Sequence, residues 1–404
     1  MIRFQEFLTE AAVKNLHLEH IEDEILNSGI HGGRAAINFI QSLRDMLAGS
    51  AKTPVNVSTK WDGAPAIFAG TDPSDGQFFV AKKSVFNKNP ILYKKESDID
   101  VTGDLGAKFK VALSEFSKLD IKGVLQGDLL YTTPLNTAIP GHWTFQPNTI
   151  MYAVPKDSDI GTKIAKSKIG IVWHTTYSGD TLEDMTATFG VDQPLKKVSS
   201  VWHTDAEYKD VSGSAKMTTA ETTKVTGDLS EAGQTFRKIN SKKMGEWNPL
   251  QNTLPASAQW KTYQNSLIKN QTKFRGGRMQ VADYFKFVHE AFLKITATKK
   301  TEKTKKEWMK RKEMYFKELR NHTRNMVAVT EFMGHIVNAK MKIIDKLNSI
   351  KQLGISTFVK TADGFKVTTP EGYVVADSTQ KAVKLVDRLE FSFNNFTAQK
   401  NWDK

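Results

Sequence analysis

The chain contains no cysteine among its 404 residues. Disulfide bonds, thiol catalysis and cysteine-based zinc sites are therefore excluded. The sequence also lacks any run of about 18 apolar residues, which a membrane-spanning helix requires. Its N-terminus lacks the apolar stretch of a signal peptide. Together these absences predict an intracellular, cytoplasmic protein with no membrane partner.

Acidic residues are scarce relative to basic ones, with 44 Asp and Glu against 57 Lys and Arg, and the net charge is +13. Such a surplus favours a polyanionic partner such as nucleic acid. It is concentrated in the segment 299–312, KKTEKTKKEWMKRK, which interleaves cations with a tryptophan. A solvated helix face is the alternative interpretation of this run. The candidate nucleic-acid-binding residues are Lys305, Lys306, Lys310, Arg311 and Lys312.

Hydrophobic residues make up 39% of the chain, which indicates a folded protein with a substantial core. Apolar residues at helical spacing predict a helix that starts at Gly32-Gly33 and runs to Leu47. Strand patterns dominate from about 55 to 175 and return after Phe358. The stretch from about 178 to 232 is rich in Thr, Ser, Asp and Gly, which favours loops, and helical stripes follow it.

These patterns predict an α+β protein in three segments. The first, 1–177, holds N-terminal helices and a strand-rich core. The second, 178–353, is a basic insertion that is loop-rich and then helical. The third, 354–404, returns to the core.

The tetrapeptide Lys60-Trp61-Asp62-Gly63 follows a β-branched run and ends in glycine. This pattern places the lysine at the end of a strand, where the chain turns. A lysine at such a position can act as a nucleophile once nearby cations or a metal favour loss of its proton. The alternative is an ordinary turn with Asp62-Gly63 at its corner and a solvated lysine.

Four later segments follow in a fixed order. An apolar strand, 123–131, carries Asp128, and a second, 168–175, carries Trp173. Glu371-Gly372 then precedes a β-branched run, and Lys384 lies within 382–386. With Lys-Trp-Asp-Gly, these segments resemble motifs I, III, IIIa, IV and V of the covalent nucleotidyltransferases, which include the ATP-dependent DNA ligases, the RNA ligases and the mRNA capping enzymes.

The resemblance implies a ligase-type nucleotidyltransferase core of antiparallel sheets, with a large inserted helical domain. About 20 residues follow Lys384, too few for the C-terminal oligonucleotide-binding (OB) barrel of DNA ligases and capping enzymes. Pro65 and Ser58 stand where many DNA ligases carry Arg and Glu, and Asp128 stands where Glu is usual. These departures favour an RNA-ligase-like enzyme over a DNA ligase.

The resemblance also implies roles for individual residues. Lys60 would attack the α-phosphate of ATP and form a lysyl-AMP intermediate. Trp173 would stack on adenine, and Glu371 and Asp128 would hold Mg²⁺. The full set of implied nucleotide-binding residues is Thr59, Asp62, Gly63, Asp128, Trp173, Glu371, Lys384, Lys82 and Lys83.

Three functions are compatible with these observations. The first is an ATP-dependent, RNA-ligase-like polynucleotide ligase that seals 5′-phosphate to 3′-hydroxyl ends. The second is a DNA ligase that seals nicks. The third is an inactive nucleic-acid-binding or virion-associated protein of the same fold. The opening, 1–11, resembles the openings of many T4-like bacteriophage proteins, which would place the protein in the host cytoplasm. The oligomeric state is not indicated.

Overall fold

The chain alternates between sheets and helices, and the N- and C-terminal parts of the sequence meet in one sheet. The computed structural model describes residues 20–50, 56–191, 193–206, 216–349, 355–361, 364–367, 372–376 and 382–397. The predicted likeness of residues 1–11 to phage proteins lies outside these ranges.

The helices carry apolar stripes that face one another, as amphipathic helices in a core do. They are α1 (Glu24–Leu47), α2 (Gly103–Phe116), α3 (Asp159–Lys166), α4 (Thr219–Phe236), α5 (Ser241–Thr253), α6 (Trp260–Lys269), α7 (Gly277–Ala297), α8 (Glu302–Asn348) and α9 (Arg388–Thr397). Within the described ranges, no helix is both long and apolar enough to cross a bilayer.

The strands are short and rich in β-branched and aromatic residues, which suit a pleated, half-buried surface. They are β1 (Asn56–Thr59), β2 (Ala66–Thr71), β3 (Phe78–Ala81), β4 (Val124–Thr132), β5 (His142–Phe145), β6 (Ile150–Pro155), β7 (Ile169–Ser178), β8 (Thr186–Phe189), β9 (Val201–Asp205), β10 (Ser356–Thr361), β11 (Gly364–Val367), β12 (Tyr373–Ala376) and β13 (Ala382–Leu385).

Three sheets form from these strands. The largest has the order β3-β2-β4-β7-β8, and β9 also pairs with β7. A second has the order β11-β10-β6-β5, and a third joins β1, β12 and β13. Every described pairing is antiparallel except that of β7 with β9. The predicted α+β class with antiparallel sheets is confirmed.

The helices share one large core, to which α1, α4, α5, α6, α7 and the C-terminal half of α8 contribute buried side chains. One of the predicted helical stripes, from Met326 to Leu347, lies on α8. Met326 and Leu347 are both buried. The first half of α8 is mostly exposed. The long helix therefore has one end in the core and the other at the surface.

Two predictions about local structure hold only in part. The first placed the start of a helix at Gly32-Gly33, but α1 begins at Glu24, is interrupted at Ser28 and Gly29, and is helical again through Gly32 and Gly33. A Cβ atom on Gly33 would lie 2.5 Å from Ile25 Cδ1 and 2.7 Å from Phe236 Cε2. The glycine therefore permits close helix packing and does not mark a helix end.

The second prediction, a loop-rich stretch from about 178 to 232, holds between the elements of that stretch but missed the elements themselves. The stretch contains β8 and β9, which extend the largest sheet, and most of α4. Its many threonines are compatible with both structures, because threonine favours strands and also caps helices. Thr218 caps α4 by accepting a hydrogen bond from the Glu221 N–H, and the Glu221 side chain accepts one from the Thr218 N–H in return.

Candidate active site around the Lys60 loop

The residues 60–65, here called the Lys60 loop, connect the third sheet to the largest one. The loop begins directly after β1, as the sequence predicts. The backbone N–H of Lys60 donates to the carbonyl of Gly372 at 2.8 Å. Thr59, at the end of β1, pairs through its backbone with Tyr373 on β12. Lys60 is therefore fixed beside the start of β12.

Asp62 anchors the middle of this loop. Its buried carboxylate accepts hydrogen bonds from Asn148 Nδ2 at 2.7 Å and from the backbone N–H groups of Thr149 and Ile150, both at 2.6 Å. The Asp62 N–H donates to the Tyr152 hydroxyl at 2.7 Å. Hydrogen bonds from several donors to one buried carboxylate hold a loop in a single conformation. Asp62 therefore fixes the backbone two residues after Lys60.

The second half of the loop lies against Asp128 on β4. A Cβ atom on Gly63 would lie 2.5 Å from Asp128 Cβ, closer than two carbon atoms can approach. The Ala64 N–H donates to the Leu129 carbonyl at 2.9 Å, and the Leu129 N–H donates to the Pro65 carbonyl at 3.1 Å. The structure thus brings Asp62, Gly63 and Asp128 together.

Asp128 also has a partner that sequence reasoning missed. His174 Nε2 lies 3.8 Å from Asp128 Oδ1, and the two side chains are 25% and 26% exposed. The other ring nitrogen of His174 is 2.8 Å from Thr175 Oγ1. A half-buried histidine and carboxylate beside a lysine-bearing loop can bind phosphate or sugar hydroxyl groups and exchange protons.

Trp173 lies on the other face of the same sheet. It is completely buried, and its ring packs edge-on against Phe116 of α2 with centroids 5.2 Å apart. The ring therefore has no exposed face on which a base could stack, and this predicted role for Trp173 is contradicted by the structure. The cause is strand alternation, because neighbouring residues point to opposite faces. His174, not Trp173, shares a face with Asp128.

The third sheet places Lys384 near the Lys60 loop. Ser58 pairs with Val374, and Val374 pairs with Lys384, so the three residues form one row across the sheet. Lys60 directly follows Thr59, the last residue of β1, and so lies at the end of this sheet. Lys384 is buried and forms a parallel bridge with His20. Burial lowers the pKa of His20 well below its usual value.

Helix α9 contacts the Lys60 side chain. The Nζ atom of Lys60 lies 4.9 Å from the centroid of the Phe391 ring. A lysine side chain over an aromatic ring at this distance makes a cation–π contact. One turn earlier on α9, Arg388 donates to Asp23 at 2.7 Å. Helix α9 therefore connects Lys60 to the start of α1.

The segment before α1 carries a buried ion pair with α8. Lys340 Nζ lies 2.9 and 2.8 Å from the two carboxylate oxygens of Glu22, and both residues are buried. Burial alone would raise the pKa of Glu22, but the Lys340 ammonium, with His20 and Arg388, lowers it to about 2. The charged pair is therefore maintained at neutral pH and ties α8 to the neighbourhood of Lys384.

Residues 15–400 match a family of unknown function (DUF6267). The chain belongs to this family. No curated protein and no solved structure matches it. The family gives the chain no activity, so its function has to be inferred from the residues themselves.

In this DUF6267 protein, the two predicted lysines directly follow β3, which is two strands from the strand of Asp128. Strand β2 separates β3 from β4. Lys82 forms an ion pair with Asp100 at 3.0 Å. The pKa of Lys82 is raised by its hydrogen bond to Tyr93 and by Asp100. Lys83 is exposed at the start of a short 3₁₀ helix. Lys82 is thus engaged by the protein itself, and neither lysine is brought to the Lys60 loop by the described contacts.

The predicted metal ligands are Asp128 and Glu371. Glu371 lies outside the described residues, although its neighbour Gly372 is bonded to Lys60. Within the described ranges, no group of three or more His, Asp or Glu side chains could hold a metal ion. Binding of Mg²⁺ by Asp128 and Glu371 stays a prediction.

The predicted nucleic-acid-binding residues all lie on the first half of α8, but the structure divides them. Lys306, Lys310 and Arg311 are exposed. Lys305 forms an ion pair with Glu302 at 2.7 Å, and Lys312 Nζ lies 3.3 Å from His289 Nδ1. The exposed cations are the ones available to an external partner.

Proposed function

We propose that the chain is an ATP-dependent nucleotidyltransferase of the ligase type, with Lys60 as its nucleophile. One observation carries the proposal. The Lys60 loop is hydrogen-bonded to Gly372 at one end and packed on Asp128 at the other, and Lys384 lies two strands from β1 in the same sheet. Segments distant in sequence that resemble four motifs of one superfamily are thus neighbours in space.

The fold supports a finer description. The strands that carry the resembling segments come from both ends of the chain, and helices α4 to α8 lie between β9 and β10. We therefore interpret the architecture as a ligase-type core interrupted by a helical insertion. We propose that this insertion holds the nucleic-acid substrate.

The reaction would proceed in three steps. First, Lys60 Nζ, after losing a proton, attacks the α-phosphate of ATP, so that a P–N bond forms and the bond to pyrophosphate breaks. Second, AMP passes from the lysine to a 5′-phosphate end. Third, a 3′-hydroxyl displaces AMP and the strand is sealed. Phosphoryl transfer depends mainly on positioning and charge neutralisation, which Lys384, His174 and Asp128 with a bound Mg²⁺ would supply.

The proposal is tested by covalent labelling. The purified protein is incubated with Mg²⁺ and ATP labelled at the α-phosphate, denatured, and examined for label on the protein band. We expect label on the wild type and none on Lys60→Ala or Lys60→Arg, because neither replacement provides the attacking amine. Lys163→Ala, which removes an exposed lysine on α3, is the matched control and should label normally.

Each other outcome has a definite meaning. Label that persists in Lys60→Ala would show that another residue is modified and would contradict the proposal. No label with ATP, GTP or NAD would favour the inactive nucleic-acid-binding protein. If label is present, joining assays on nicked RNA and nicked DNA decide between the RNA-ligase-like enzyme, which we favour because of Ser58 and Pro65, and the DNA ligase.

A further inference from the structure

The exposed half of α8 carries a row of cations that the sequence run does not reveal. Their spacing along the chain is three, four, seven and seven residues, which keeps them on one side of an α-helix. All five are exposed. We call this row the α8 stripe, and it consists of Lys303, Lys306, Lys310, Lys317 and Arg324.

The stripe is long and straight. It covers 22 residues of one uninterrupted helix, and its first and last residues are about 31 Å apart along the axis. Within the described part of the chain, none of its five side chains forms an ion pair. Three carboxylates of the same helix lie near the stripe: Glu302 is bound to Lys305, outside the stripe, and neither Glu307 nor Glu313 is within ion-pair distance of a stripe residue. The positive charge of the stripe is therefore open to an external anion.

We propose that the α8 stripe binds the phosphate backbone of a nucleic-acid duplex. A rigid row of cations about 31 Å long matches a rigid polyanion: laid along the duplex axis it spans about nine base pairs at about 3.4 Å each, and it would meet phosphates where each strand crosses that side of the duplex. A flexible single strand would have to be straightened to make the same contacts, at a cost in conformational entropy.

An anionic membrane surface is the competing partner, and the structure disfavours it. A helix that lies on a membrane needs an exposed apolar face beside its basic one. The apolar side of α8 is instead packed against α7, where Trp308, Tyr315 and Phe316 contact the helical core. Among the large apolar residues of this half, Met314 is exposed, at 54%. One methionine is too little apolar surface to enter a bilayer.

The idea that the stripe holds the substrate of a ligase rests on the proposed function. Binding of the stripe to a duplex does not, since that binding requires no chemistry at Lys60. The two ideas can therefore fail separately.

The test measures duplex affinity by fluorescence anisotropy, with labelled RNA and DNA duplexes of about 20 base pairs at about 50 to 300 mM KCl. The variant is Lys303→Gln/Lys310→Gln/Lys317→Gln. The matched control, Lys163→Gln/Lys166→Gln/Lys238→Gln, removes the same charge from exposed positions on α3 and after α4. Thermal unfolding confirms that both variants are folded.

We expect the stripe variant to bind at least about tenfold more weakly near 0.1 M salt and to lose about 2 to 3 from the slope of log K against log salt, because three phosphate contacts disappear. The control should stay within about twofold of the wild type. Equal losses in both variants, or no loss in the stripe variant, would overturn the proposal, and so would tighter binding of a single strand.

Two further measurements complete the design. Loss of binding to phosphatidylserine vesicles in the stripe variant, with duplex binding unchanged, would overturn the proposal in favour of a membrane. Lys60→Ala should bind the duplex as the wild type does. If labelling of the wild type fails while the stripe variant still loses duplex affinity, the ligase proposal fails and the stripe stands.

Discussion

Gly63 shows how tightly the Lys60 loop is packed against β4. An added Cβ atom would meet Asp128 Cβ at 2.5 Å and the Asp128 carbonyl carbon at 2.9 Å. We expect Gly63→Ala to lower the free energy of unfolding by about 1 to 3 kcal/mol, as overpacking does. It should also reduce labelling at Lys60, because the loop must shift. Urea unfolding and the α-phosphate assay measure the two effects.

Gly233→Ala is the matched control for this substitution. Gly233 lies within α4, and a Cβ atom there would meet no heavy atom within 4 Å. Alanine should therefore stabilise the helix by about 0.5 to 1 kcal/mol. If Gly63→Ala were as stable as Gly233→Ala, the close approach of the loop to Asp128 would be wrong.

The residues around the loop also show what the sequence could predict at this scale. The strand end at Lys60 and the strand of Asp128 follow from local patterns. The choice between Trp173 and His174 does not follow from them, because it depends on the register in which β7 pairs with β4. A strand with both faces buried has no polar and apolar alternation from which to infer that choice.

At the scale of elements, the buried pair of Glu22 and Lys340 connects the segment before α1 to α8. Removing one member leaves a buried, unpaired charge, so we expect Lys340→Met to cost about 3 to 5 kcal/mol at neutral pH. The double variant Glu22→Leu/Lys340→Met should recover most of this loss, because no charge is left unpaired. Urea unfolding of the three proteins measures both values.

The same pair predicts a pH dependence. The pKa of Glu22 is lowered in the folded protein from 4.5 to about 2. Its contribution to stability is therefore complete above pH 4.5 and is lost as the pH falls towards 2. Lys340→Met should lack this loss, so its difference from the wild type should shrink in acid. A constant difference across this range would contradict the assignment.

The sequence predicted the helices of the insertion better than their boundaries. The stripes on α7 and α8 have a strong helical period, which tertiary packing reinforces. The start of α1 and the existence of α4 were missed, because glycine and threonine have weak local preferences that packing overrides. Position 33 requires glycine because Phe236, about 200 positions later in the chain, packs against it.

At the scale of the whole molecule, α8 relates the stripe to the Lys60 loop. Arg324, at the near end of the stripe, is 16 residues from Lys340, or about 24 Å along the helix. Lys340 is linked to Lys60 through Glu22, Asp23 and α9. A duplex that lies along α8 would need about 7 base pairs to span this distance and about 16 to reach Lys303.

We therefore expect strand joining to depend on duplex length. Nicked duplexes with about 5 base pairs on each side should be sealed poorly, and efficiency should rise until the arm reaches about 16 base pairs and then stay constant. Sealing rates over a series of arm lengths test this directly. In Lys303→Gln/Lys310→Gln/Lys317→Gln the rise should be largely absent, and an equal rise there would contradict the arrangement along α8.

The third sheet has a consequence for how each copy of the protein is made. Lys60 is held by Gly372, and β1 pairs with β12, which pairs in turn with β13. Translation adds about 5 to 20 residues per second, so the lysine leaves the ribosome on the order of half a minute before these strands exist. A nascent or prematurely terminated chain therefore carries Lys60 without the sheet that positions it. Only a copy translated as far as β13 can present Lys60 in its folded setting.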